Sequence, residues 1–154
     1  MWSTELIAMQ RVRTFSARLI LQGLIVASFL ASSCGPSLHI SLASSTERLP
    51  GPSFNVADTD HPQKPLYDTV EVWDTTNGKE RDKAKLVWKM VADPFGNQKG
   101  VAQLTYGKQI EGFKSVTDPL PLEAGHQYSI RVAGNGEGYF HFRIGSDGKL
   151  QHAD

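Results

Sequence analysis

From Leu66 onward the chain repeats one pattern. Short runs carry apolar residues at every second position, and clusters of Gly, Asn, Pro and Asp cut them apart. A period of two sends successive side chains to opposite faces of an extended strand, so each run has one face fit for burial. Val70 and Val72 alternate in DTVEVWD, and in KLVWKMV the residues Leu86, Trp88 and Met90 share a face against Val87, Lys89 and Val91. Ala102, Leu104 and Tyr106 face together. Tyr128, Ile130 and Val132 alternate with Ser129, Arg131 and Ala133, and Phe140, Phe142 and Ile144 alternate with Tyr139, His141 and Arg143. The cuts fall at Thr75–Gly78, Asp93–Asn97, Gly134–Gly136 and Ser146–Gly148, where Gly and Asn supply the backbone freedom of tight turns. The one helix-friendly stretch, Lys79 to Leu86, has no sustained apolar stripe and reads as a loop. The expected fold is all-β, a small antiparallel β-sandwich over residues 66–150 with a tail at 151–154.

Residues 34–65 read differently. Gly35 to Pro65 is dense in Ser, Pro and Gly, and no apolar period persists, as in a flexible tether. Leu38, Ile40 and Leu42 alternate and would allow one edge strand. A segment of roughly 85 residues is small for a full sandwich, so a strand is either missing or supplied by the tether.

The N-terminal segment RVRTFSARLILQGLIVASFLASSC runs from positive charge (Arg11, Arg13, Arg18) through an apolar stretch to small residues (Ala31, Ser32, Ser33). That order is the order of a secretory signal peptide, expected over residues 1–33. Leu19 to Ser33 spans 15 residues, short of the ~20 that cross a bilayer as a helix. Met9 makes a more usual start for such a leader than Met1, because Glu5 then falls outside it. The segment ends at Cys34, the only cysteine in the chain, which excludes an intrachain disulfide and a cysteine-cluster zinc site.

Leu30-Ala31-Ser32-Ser33-Cys34 resembles the lipobox of bacterial lipoproteins, with Ala31 where that family most often has Leu. The resemblance implies a diacylglyceryl group, with acyl chains such as palmitate, on the Cys34 thiol and cleavage just before it. Gly35, rather than Asp, after the cysteine implies sorting to the outer membrane, with the protein facing the periplasm. Removing Arg11, Arg13, Arg18 and Glu5 from 16 basic and 16 acidic residues leaves 13 and 15, a net charge of −2. Nucleic acid is not an expected partner of such a chain, because binding it needs a basic surface.

Within the strand region, Leu122-Glu-Ala-Gly125-His-Gln-Tyr128 resembles the tyrosine corner of immunoglobulin-like and fibronectin type III domains, where a Tyr opening a late strand turns its hydroxyl back to the backbone just upstream. YSIRVAGNGEGYFHFRI resembles the last hairpin of such a domain, in its disulfide-free form. The Trp-bearing strand, the Tyr106-Gly107 and Gly112-Phe113 pairs, and the Leu122, Gly125, Tyr128 spacing together resemble small Gram-negative lipoproteins to which no activity is assigned.

Chemistry-bearing patterns are sparse. The five histidines (His39, His61, His126, His141, His152) lack the spacing of familiar metal motifs, and no nucleophile elbow, phosphate loop or zinc motif is present. Asp58, Asp60 and His61 read as a solvated cluster. No catalytic residue, cofactor or metal site is expected, and the chain does not read as an enzyme. The candidate interaction face is the outward row Tyr139, His141 and Arg143 with Arg131 and Ser129 beside it, since aromatic and Arg groups are favoured at binding hot spots. The loop from Tyr106 to Phe113 is a second candidate, as a protruding tip. Two functions follow: an envelope protein-interaction or structural module, or a small-molecule or glycan-binding module. The first requires a compact core without a cavity, the second a pocket with convergent polar groups. Small size favours the first.

The anchor is testable by itself. Cys34→Ser is expected to stop incorporation of labelled fatty acid and to release the protein from the membrane fraction. Retention in that fraction unchanged would make the N-terminal segment a spanning anchor instead.

Overall fold

The computed structural model describes residues 38–153 apart from 63 and 81; the expected signal peptide and Cys34 lie outside the described residues. Nine strands follow one another with no helix among the described residues: β1 (Leu38–Leu42), β2 (Ser53–Asp58), β3 (Tyr67–Asp74), β4 (Lys85–Ala92), β5 (Gln103–Thr105), β6 (Phe113–Thr117), β7 (Gln127–Gly134), β8 (Glu137–Ile144) and β9 (Leu150–His152). They make two antiparallel sheets, one in the order β1-β2-β5 and the other in the order β6-β4-β3-β7-β8-β9. The fold is a small β-sandwich. In the large sheet β4 lies beside β3, β6 lies beside β4, and β9 extends the far edge.

The core forms where the alternating faces meet. Leu38, Ile40, Phe54, Val56 and Leu104 from the small sheet pack with Val70, Val72, Trp88, Met90, Ile130 and Phe142 from the large one. The Phe54 ring lies 5.3 Å from that of Phe142 and 6.2 Å from that of Phe140. One corner is drawn especially close: a Cβ on Gly138 in β8 would run into the Leu38 carbonyl oxygen of β1, so only glycine fits there.

The described part of the expected tether at 34–65, from Leu38 onward, is therefore not free. β1 and β2 pair from Leu38↔Asp58 to Leu42↔Phe54, and β2 pairs in turn with β5. Ser44, Ser45, Pro50, Gly51 and Pro52 sit in the connection between the two short strands, where they interrupt the alternation. The connection is itself held, by an isolated bridge between Arg48 and Lys149 and by the Leu150 N–H donating to Glu47. The domain boundary at residue 66 moves accordingly to the start of β1. The expected tail is partly strand, because Gln151 and His152 pair with Arg143 and Phe142.

Register supplies a further correction. A bulge between Val72 and Trp73 pairs Val72 with Trp88 but Trp73 with Leu86, which moves Leu86 to the outer face. Val87, the extra residue, is buried, and its carbonyl accepts from the Leu120 N–H at 2.9 Å. Tyr106, Ile110 and Phe113 are all buried, with the Phe113 ring 5.7 Å from Tyr67, so the loop from Tyr106 to Phe113 presents no apolar tip. Ala102, expected to face inward with Leu104, is exposed.

The turn before β7 has the geometry of the tyrosine corner. The Tyr128 hydroxyl accepts the Glu123 N–H at 2.9 Å, Leu122 is buried beneath the turn, and Gly125 has φ +85°, a conformation that side chains other than glycine's rarely adopt.

Two outcomes test this architecture. Tyr128→Phe leaves the Glu123 N–H without its partner and is expected to cost about 1–2 kcal/mol in urea unfolding, whereas the exposed Tyr139→Phe should stay within about 0.5 kcal/mol. A chain beginning at residue 64 loses Leu38, Ile40, Phe54 and Val56 from the core. At roughly 1.5–3 kcal/mol per buried side chain that loss matches the whole stability of a typical domain. It should fail to melt cooperatively, while a chain beginning at residue 36 should do so.

Candidate functional site

The outer face of the large sheet is laid out by register. Lys89 on β4 pairs with Glu71 on β3, Glu71 with Arg131 on β7, and Arg131 with Tyr139 on β8, which makes one row across four strands. The next row runs Leu86, Trp73, Ser129, His141. Neighbouring strands stand about 4.8 Å apart, so each row spans roughly 14 Å.

Glu71 organises the first row. It is only 7% exposed, and a buried carboxylate is tolerated only when it is paired and hydrogen-bonded. Its Oε1 takes Lys89 Nζ at 2.7 Å; its Oε2 takes Arg131 Nη1 at 3.1 Å and the Trp73 indole N–H at 3.4 Å. Burial pushes the Glu71 carboxyl up, but Lys89 and Arg131 outweigh it and hold the group below its ordinary value of 4.5. Arg131 in turn gives Nη2 to Glu137 at 2.8 Å and Nε to the Tyr139 hydroxyl at 3.1 Å, with its guanidinium 5.9 Å from the Tyr139 ring centroid. Burial alone would favour loss of the Arg131 proton, and its carboxylate and hydroxyl partners more than reverse that.

The second row makes the face concave. Ser129 is small and stands between Trp73 and His141, so a depression opens over it. The connection from Thr75 to Ala84, between β3 and β4, walls the depression with Thr75, Lys79 and Ala84. Burial depresses the pKa of His141, and the nearby Lys79 and His152 add to the effect. The basin is open to solvent on one side and has a volume of about 780 Å³, within the roughly 300–1,000 Å³ range of small-molecule sites. The buried Nδ1 of His141 has no hydrogen-bond partner.

The structure thus brings Arg131, Ser129, Tyr139 and His141 together in one site, with Tyr139 at the rim, 53% exposed. Arg143 is not part of it. It falls one row further on, beside β9, and its guanidinium donates to Gln151 Oε1 at 2.9 Å. Glu71, Trp73, Lys79 and Lys89 belong to the basin and were not singled out from sequence. The alternation in DTVEVWD and KLVWKMV puts Glu71, Trp73 and Lys89 opposite the core faces of their strands, which is the signal that marks them.

The other polar clusters have structural roles. Asp58, expected to be solvated, is 4% exposed and accepts the backbone N–H groups of Asp60, His61 and Leu66. It thereby folds the connection between β2 and β3 around its carboxylate. His126 Nδ1 lies 2.8 Å from Asp74, and its ring stacks 6.2 Å from Tyr128, bracing the corner turn. Among the described residues, no group of three or more His, Cys, Asp or Glu side chains is placed to hold a metal ion. Comparison with protein-family models, with curated proteins and with solved structures returned no match.

Because the folded-state pKa of Glu71 is depressed, its ionisation supports folding above about pH 4.5 and that support is lost as pH falls through the folded value. The melting temperature of the wild type is expected to drop below pH 4.5 more steeply than that of Glu71→Gln. Parallel curves would show that the carboxylate is not coupled to folding.

Proposed function

We propose that the chain is a lipid-anchored envelope protein that binds a small polar ligand, of the size of one or two sugar rings, in the basin on its outer sheet face. The observation that carries this reading is the basin itself. A solid sandwich with flat polar faces would fit an interaction or structural module; a walled concavity of about 780 Å³ with convergent polar groups fits a binding module better. Trp73 and Tyr139 offer apolar ring faces, and the groups beside them are held by ion pairs and so need little reordering when a ligand arrives. The β-sandwich supports the site as a scaffold and says nothing by itself about the ligand.

The anchor is the acylated Cys34, and the membrane the outer one, facing the periplasm. Cys34 would then be separated from β1 by Gly35, Pro36 and Ser37 alone. An extended link of that length reaches about 14 Å at most, so the sandwich would work close to the bilayer surface rather than at the end of a long leash.

The protein-interaction reading keeps one observation of its own, Tyr139 exposed at the rim beside Arg131. One substitution separates the two readings. Ser129→Trp should fill the floor of the basin while leaving Tyr139 and Arg131 exposed. With the full chain in detergent, ligand-observed NMR against a panel of mono- and disaccharides is expected to show binding that Ser129→Trp abolishes without lowering the melting temperature by more than a few degrees. Absence of saccharide binding, together with a crosslinked envelope partner that Ser129→Trp still captures, would replace the ligand reading with the interaction reading.

A further inference from the structure

We infer that the basin selects a sugar-sized ring bearing an oxyanion, a carboxylate or a phosphate, over a neutral sugar; this rests on the proposed binding function and names the ligand class it would serve. The balance of donors and acceptors in the lining carries the inference. Lys79, Lys89 and Arg131 have only donors to offer, and Glu71 is the one carboxylate among the lining residues. Glu71 is already committed on both oxygens, to Lys89 on one and to Arg131 and the Trp73 indole on the other. An incoming hydroxyl therefore competes for Glu71 with partners already in place, whereas an incoming acceptor does not. Lys89 directs one of its three N–H groups to Glu71, and Arg131 directs three of its five to Glu71, Glu137 and Tyr139, so both retain donors for an incoming acceptor.

His141 adds to the same imbalance. Its Nδ1 is buried without a partner, and a buried bare acceptor is tolerated more readily than a buried orphan N–H. The neutral tautomer with its proton on Nε2 is thus the favoured one, which makes the imidazole's other nitrogen a donor. The lining agrees with the donor count: Lys79, Lys89 and Arg131 stand in it with one carboxylate, Glu71. A carboxylate or phosphate supplies several acceptor lone pairs and a negative charge at once, and charge-assisted hydrogen bonds to it are about twice as strong as neutral ones. Trp73 and the rim Tyr139 provide ring faces for the rest of the ligand.

The test uses probes of matched shape. Glucose, glucuronate, glucose 6-phosphate and inorganic phosphate are titrated into the full chain in detergent by calorimetry, at low and at 300 mM salt. Glucuronate or glucose 6-phosphate is expected to bind at least tenfold more tightly than glucose, and which of the two wins identifies the oxyanion. Inorganic phosphate should bind more weakly than either, because it lacks the ring. The preference should shrink several-fold at high salt, as attraction between partly exposed charges is screened. Lys79→Gln, checked for an unchanged fold by thermal melting, should reduce it several-fold. Equal binding of glucose and its charged relatives, or a preference that Lys79→Gln leaves unchanged, would overturn the oxyanion inference and leave the basin reading standing. Failure of every sugar to bind would overturn both.

Discussion

A buried carboxylate on the outer face of a sheet is an expensive arrangement, and the site of this protein depends on how Glu71 is neutralised. Surface ion pairs usually contribute little, because water screens them and long side chains lose freedom to form them. Glu71 is different in being buried, so its pairing with Lys89 and Arg131 is a requirement of the fold. The consequence spreads along the row. Arg131, fixed by Glu71 on one side and Glu137 on the other, orients the Tyr139 hydroxyl and lies near its ring. One acid thus sets the positions of two cations and two aromatic residues drawn from four strands. Groups fixed in this way before a ligand arrives are what a binding surface needs, since ordering costs are met on folding.

The scaffold beneath is held by a second recurring device. Three tyrosines bury their rings in the core and use their hydroxyls to tie irregular segments to it. The Tyr67 hydroxyl donates to the Val101 carbonyl and accepts the Val101 N–H, both at 3.0 Å; Tyr106 donates to the Leu120 carbonyl at 2.6 Å; Tyr128 accepts from Glu123. Burial pushes the Tyr67 phenol up to about 12 and raises those of Tyr106 and Tyr128, so all three stay protonated across the physiological range. A small sandwich has few residues to spare for loop packing, and a ring with a polar tip fills the core and closes a loop at once.

Much of the fold was legible in the chain because period-two alternation is a local property. The faces of β7 and β8, the turns between the later strands and the corner at Tyr128 all follow from residues within ten positions of one another. The alternation of Leu38, Ile40 and Leu42 allowed β1 as an edge strand, but β2 was missed, although SFNVAD alternates as cleanly as the rest, because it is short and stands among Ser, Pro and Gly. The face of Leu86 was misassigned because a bulge depends on the partner strand and leaves no mark in its own sequence. Of the site, Arg131, Ser129, Tyr139 and His141 could be placed together because β7 and β8 form a hairpin. Arg143 shares their outward face on β8 but stands one row further on, beside Gln151, so it lies outside the basin.

What the sequence by itself determined is therefore five of the seven strands after Leu66 and most of their inward faces, since each rests on neighbours along the chain. The tertiary structure alone decided that β3 lies between β4 and β7, so that Glu71 meets a lysine 18 positions away and an arginine 60 positions away. It also decided that the connection from Thr75 to Ala84 stands over Ser129 and turns a sheet face into a basin. Those are contacts between distant segments. They follow from the packing of the two sheets, in which register and strand order are selected by the burial of both apolar faces together.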